Sequence, residues 1–106
     1  MSIPVPLPEL EATLMEYPWG YLMTVTAELR AHSMAVSTQF IDGVFAASVG
    51  RGTMAHVAAR PNVSMVFPPQ RPGGYSLIVD GLGSGVGDHV EVTPTSAVLH
   101  RPAPLD

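Results

Sequence analysis

The chain contains no cysteine and no lysine. Without cysteine there is no disulfide framework, no thiol chemistry and no thiolate-ligated zinc. The basic side chains are the scattered arginines 30, 51, 60, 71 and 101, and the net charge is −4. A nucleic-acid surface needs a contiguous basic stripe to displace counterions, so none is expected. Charged residues make up 13%, against about 25% in an ordinary soluble domain. No apolar run approaches the ~20 residues that span a bilayer. The opening MSIPVPLPEL has three prolines and no positive side chain, which is not the pattern of a signal or transit peptide. The cytoplasm is therefore the expected location.

What is present is a hydrophobic chain: 46% of 106 residues. That length suits one domain, 1–106, with residues 1–8 as a proline-rich surface arm. A domain this small buries only about two-thirds of its unfolded surface. Low charge and high hydrophobicity then predict that further surface is covered by a second copy, giving a homodimer.

The local patterns are mostly those of strands. Residues 8–17, PELEATLMEY, read as a short helix: Pro8 suits a first turn, Leu10 and Leu14 form one apolar stripe, and Pro18 ends it. From Tyr21 to Thr26 the period becomes two. Ala31–Phe40 places Met34, Val36 and Phe40 on one face and Ser33, Ser37 and Gln39 on the other. Asp42–Gly43 is a hairpin signal. Residues 43–48 make a third strand, 53–60 a short helix stopped by Pro61, and 63–67 a fourth strand. PPQRPGG at 68–74 is a loop. A fifth strand begins at Tyr75 and extends past Gly81, and Gly83, Gly85 and Gly87 fall on alternate positions, which signals close backbone approach or bending. A sixth starts at His89, and Ala97–His100 prolongs it after a break at Pro94. The expected fold class is mainly β with minor α: a six-stranded antiparallel split barrel with one or two short helices.

Catalytic constellations are not visible. His32, His56, His89 and His100 lack the close spacing of a metal site, and His32 and His100 read as structural hydrogen-bonding residues. Ser33, Ser37 and Ser48 have no nucleophile elbow around them. Met23, Met34 and Met65 read as core packing. No catalytic residue and no metal is expected.

The segment GVFAASVGRGTMAHVAARPNVSMVFP at 43–68 resembles the central signature of the pyridoxamine phosphate oxidase-like, flavin-binding split-barrel superfamily. That signature is a strand ending in Gly, a basic turn, a helix ending before Pro, and a Val-Ser-rich strand followed by Pro. GYLMTVTAELRAHSMAVSTQFIDG and YSLIVDGLGSGV are similar to its flanking strands, so the resemblance covers about residues 12–100. It implies a dimer with FMN between the subunits and a flavin-dependent oxidoreductase activity. A deazaflavin coenzyme, haem or no cofactor occurs in related small proteins, so a non-catalytic ligand-binding or cofactor-free protein of this fold is the alternative.

Carried over position by position, the resemblance implies cofactor contacts at Ser33 and Thr38 on the second strand and at Ala46 and Ala47 on the third. Gly50, Arg51, Gly52 and Thr53 fall in the phosphate-binding turn, and His56 in the helix behind it. Ser76 on the fifth strand would be offered by the partner subunit. Arg51 is the one basic side chain in the phosphate segment, where the superfamily uses several. Thr53 reads either as a phosphate partner or as a helix N-cap. The Arg-His segment with which pyridoxamine phosphate oxidases grip their substrate has no counterpart here, so that specific activity is not expected.

Overall fold

The computed structural model describes residues 1–104. Two short helices and eight strands form, in chain order: β1 (Ser2–Pro4), α1 (Leu10–Leu14), β2 (Trp19–Val25), β3 (Ala31–Ser37), β4 (Phe40–Ile41), β5 (Val44–Ser48), α2 (Arg51–Ala59), β6 (Asn62–Phe67), β7 (Ser76–Val86) and β8 (His89–His100). A 3-10 turn at Leu7–Glu9 leads into α1. All strand pairs are antiparallel, in the order β3-β2-β6-β7-β8-β5-β4. The sheet curls into a half-barrel, the mainly β architecture that the alternating patterns predict.

Two strands exceed the expected six. The arm at 1–8 lies on the surface, as expected, and in addition forms a strand: Ser2, Ile3 and Pro4 pair with His100, Leu99 and Val98, and Val5 alone is buried. The second expected strand is broken at Thr38–Gln39, so Phe40–Ile41 becomes β4. Asp42 and Gly43, both at positive φ (54° and 81°), then form the tight turn back into β5. In the opposite sense, Pro94 does not divide the last strand. Asp80 pairs with Ser96 and Gly81 with Pro94, which leaves Thr95 as a bulge. A proline, having no N–H to give the ladder, is tolerated at such an irregularity.

β8 organises the barrel. Its first half pairs with β5 and its last residues pair with β1, while β7 runs along its whole length. The inner face carries Leu22, Phe45, Met65, Phe67, Leu77, Val79, Val90 and Val92, all at or below 1% exposure. α1 closes one end with Leu10 and Leu14. Met23 is not a core residue: β2 turns Leu22 and Thr24 inward, and Met23 joins Tyr21 and Trp19 on the outer face. The two aromatic rings of that face meet edge to face, with centroids 5.2 Å apart.

Tyr17, just after α1, donates its hydroxyl to the Tyr75 carbonyl at 2.8 Å. Burial pushes this phenol above its ordinary value of 10.0, and the neighbouring Glu16 adds to the effect. The folded state therefore favours the neutral ring. The stability so gained is complete below pH 10 and is lost as pH rises through the folded value. Tyr17→Phe should cost about 1 kcal/mol at neutral pH, the worth of an ordinary hydrogen bond, and should flatten the alkaline decline. Urea unfolding of both proteins from neutral pH to about pH 11 measures each effect, and parallel curves would contradict the assignment.

Candidate functional site at the amino end of the second helix

The α2 helix is seated by what β7 lacks. A Cβ at Gly83 would lie 2.8 Å from Val57 Cγ1, and one at Gly85 would lie 2.8 Å from Met54 Cε. Gly83 and Gly85 thus form a trough in which α2 rests, whereas Gly87, the third of the alternating glycines, lies in the turn between β7 and β8 at a φ of 61° with no close neighbour among the described residues. At Gly81 the close neighbour is backbone, the Thr93 carbonyl oxygen at 2.6 Å, beside the bulge. The Gly83 amide donates to the Pro61 carbonyl at 2.8 Å, and Arg60 Nε donates to the Val25 carbonyl at 2.9 Å. These bonds fix the carboxyl end of the helix against β7 and β2.

Its amino end is open. The helix begins at Arg51, two residues earlier than the expected 53, because extended Gly50 (φ −80°, ψ 174°) serves as N-cap. Gly50 has no side chain, so no cap hydrogen bond forms. Among the described residues nothing lies within 4 Å of a Cβ built on Gly50 or Gly52. The Arg51 guanidinium is exposed and makes no ion pair or hydrogen bond among those residues. The first-turn N–H groups point along the helix axis with the positive end of the dipole. This combination of free amides and one cation attracts an anion.

The remaining site residues divide into those near this end and those away from it. Thr53 is not the N-cap and its hydroxyl is not free: the side chain is buried and donates to Met34 Sδ at 3.5 Å. Only its backbone amide is left for a ligand. Ala47 is likewise buried, facing the core. Ala46 lies on the outer face opposite Glu91. It lines a shallow groove of about 370 Å³ with Gln39, Ile41, Asp42, Val44 and Glu91, whose two carboxylates repel a phosphate. Ser33 is exposed on β3 beside Met34 but on the opposite face. Thr38 lies past the far end of β3, where its hydroxyl donates to the Tyr17 carbonyl. Ser76 starts β7 opposite His100, at the other end of that strand from Gly83 and Gly85. Within one chain, Thr38 and Ser76 do not converge on the α2 end. His56 sits lower on α2, with Nδ1 3.3 Å from Thr24 Oγ1.

His32 departs from the structural role that its sequence position predicts. His32 has no structural hydrogen bond at Nδ1: the atom is buried without a partner among the described residues, and the ring lies 5.4 Å from that of His56. The signal was in the hairpin, since the turn after Val25 sets Thr24 opposite His32. His100, by contrast, does make the expected structural bond, with Ser2 Oγ at 3.0 Å. No cluster of three or more His, Cys, Asp or Glu occurs among the described residues, and no helix there is long and apolar enough to cross a membrane.

No family model matches the chain. Two uncharacterized proteins, from Mycobacterium bovis and Mycobacterium tuberculosis, are each 37% identical to it over 119 aligned positions, covering 96% of this chain and 84% of theirs. Among solved structures, a putative pyridoxamine 5'-phosphate oxidase from Listeria innocua superimposes with a TM-score of 0.72 at 15% identity, covering 88% of this chain and 96% of that one. A FAD-binding protein from Mesorhizobium loti gives 0.71 at 14% identity, over 93% and 96%. The FAD binding protein from Mycobacterium smegmatis gives 0.68 at 19% identity, over 95% and 100%. The chain belongs to one family with the two mycobacterial proteins, and its fold is the pyridoxamine phosphate oxidase-like split barrel.

Proposed function

We propose that the chain is a homodimeric flavin-type cofactor-binding protein, with FMN as the cofactor and oxidoreductase chemistry in the dimer cleft. The observation that carries this reading is the uncapped amino end of α2. It offers the amides of Arg51, Gly52 and Thr53, an unpaired guanidinium and no side chain in the way. A phosphate monoester fits there, because its nearly two negative charges need donors and one strong cation, and a Cβ-free approach. The solved FAD-binding structures of the same fold support the cofactor class.

A bound flavin supplies the hydride chemistry. The chain's own part is to hold and orient it: Arg51 and the helix amides take the phosphate, and Gly50 and Gly52 allow the backbone to approach. Ser76, on the outer face of β7, would contact a cofactor held by the partner subunit. None of these groups has to move a proton. The same geometry would serve a carrier that holds the cofactor without turnover. The absence of any second cation at Ser33, Thr38, Ala46 or Ala47 favours weak, exchangeable binding.

Arg51→Ala should weaken FMN binding about ten- to hundred-fold, the worth of a charge-assisted hydrogen bond. Arg71→Ala and Arg101→Ala should change it little, since Arg101 packs over the Tyr75 ring, 4.6 Å from its centroid, at the far end of β7. Flavin fluorescence quenching compares the three variants. Equal, small effects would place the phosphate elsewhere, and no quenching by the parent protein would end the flavin reading. Oxidation of a reduced nicotinamide by the FMN-loaded protein separates an enzyme from a carrier.

The second copy is expected on the outer face of β2, β6 and β7. There Met23, Val25, Val66 and Ile78 line an open groove of about 560 Å³ flanked by Ser64, Asp80 and Thr95. Sedimentation should give twice the chain mass of 11.2 kDa at micromolar concentration, with a total interface above ~1,000 Å². A mass of one chain would contradict it.

A further inference from the structure

Beneath α2 lies a group of side chains that the flavin reading does not use. His32 and Met34 alternate on the inner face of β3, and His56 and Thr53, one turn apart on α2, face them. Two cross-contacts define the group. The rings of His32 and His56 meet at 71° with centroids 5.4 Å apart, and the Thr53 hydroxyl donates to Met34 Sδ at 3.5 Å. His32 Nδ1 is buried and has no hydrogen-bond partner among the described residues. Buried ring nitrogens are normally satisfied, and an exception points to a bound water or ion.

The geometry points to a binding site for a soft monovalent metal ion, Cu(I), between β3 and α2, with His32, His56 and Met34 as its ligands. The ring separation suits one shared ion. An imidazole nitrogen about 2 Å from a metal puts the ring centre about 3 Å away, so two rings at a trigonal angle lie about 5–6 Å apart. His56 is oriented by Thr24, which is 1% exposed and bonded to Nδ1 at 3.3 Å. In the ligand tautomer Nδ1–H donates to Thr24 and Nε2 keeps its lone pair, as metal-bound histidines normally arrange. Met34 Sδ accepts from Thr53 with one lone pair, which leaves the other free.

Charge and softness select the ion. The three donors are neutral, and no carboxylate contributes to the group. Arg60, one turn beyond His56, adds a positive charge held at the Val25 carbonyl. A divalent cation would meet that charge without an anionic ligand to offset it. A thioether beside two imidazoles favours soft copper over zinc, calcium or magnesium.

The site is independent of flavin, so it is tested on the purified full chain with no flavin added. Cu(I) is titrated anaerobically in competition with a chromogenic Cu(I) chelator. One ion per chain is expected. His32→Ala and His56→Ala should each weaken binding about a hundredfold or more, given that outer-shell partners alone are worth about 10–100-fold. Thr24→Val should weaken it about tenfold, while His89→Ala and His100→Ala leave it unchanged. X-ray absorption should show a sulfur neighbour that disappears in Met34→Leu while the nitrogen neighbours remain, which tests the ligand set in a variant with a near-isosteric core. Circular dichroism confirms that each variant is folded. Failure of the parent to compete for Cu(I), parent-like binding by either histidine variant, loss of binding in His89→Ala or His100→Ala, or preference for Zn(II) would overturn the assignment.

Discussion

Phe67→Ala should lower the free energy of unfolding by about 3–5 kcal/mol, the usual cost of deleting a buried aromatic ring. Phe67 is fully buried at the end of β6. Its ring stacks on Phe45 with centroids 5.8 Å apart, and Phe45 in turn packs on Phe40 at 4.6 Å. The ring also reaches the backbone of β2: a Cβ at Gly20 would stand 2.6 Å from Phe67 Cδ1. Removing it opens a cavity touching β2, β5 and β6 together, and the surrounding backbone is held by ladder hydrogen bonds that limit collapse. A domain of this size has roughly 5–10 kcal/mol to lose, so most of its stability should go. Urea denaturation at one fixed protein concentration measures it, because dimerisation would make stability concentration-dependent. A loss below about 1 kcal/mol would show that the ring is not a keystone of the core.

Gly83→Val should separate the helix from the sheet. The new side chain would begin 2.8 Å from Val57 Cγ1, and a β-branched valine has little rotamer freedom with which to yield. Overpacking of this kind costs about 1–3 kcal/mol. The consequence for the site is larger than the loss of stability suggests, because α2 carries both the amide cradle at its amino end and His56 beneath it. FMN and Cu(I) affinities should fall together in this variant, whereas Arg51→Ala should lower only the first and His32→Ala only the second. Gly52→Ala is the control. Nothing lies within 4 Å of its Cβ position, and alanine favours the helix by about 0.5–1 kcal/mol, so that variant should be more stable than the parent. Thermal unfolding of the two variants should shift in opposite directions, and shifts in the same direction would count against the trough.

Much of this architecture is legible in the sequence because it depends on neighbours in the chain. Alternation along 21–26 and 31–37 gives strands, Asp42–Gly43 gives a two-residue turn, and Pro61 stops α2. Of the alternating glycines 83, 85 and 87, the first two mark the close approach of α2 and the third marks a turn. The errors have physical causes. Pro94 predicts a strand break because its missing N–H is a local fact, while the bulge that accommodates it depends on register with β7. The arm at 1–8 does lie on the surface apart from Val5, but its pairing with β8, almost a hundred residues away, leaves no local trace. Thr53 suggests a helix start because threonine caps well, yet Gly50 begins the helix and Thr53 turns inward to Met34.

The sequence by itself determined the fold class and the shortage of cations, with Arg51 the one basic side chain between residues 43 and 59. These are properties of composition and of short-range pattern, which act before the chain closes on itself. Only the tertiary structure decided what faces what. It buried Ala47, gave the Thr53 hydroxyl to a sulfur, sent Thr38 and Ser76 away from α2, and set His32 beside His56 with one nitrogen unpartnered. Side-chain direction in a strand follows from pairing register, and pairing register is settled by contacts between residues far apart in the chain.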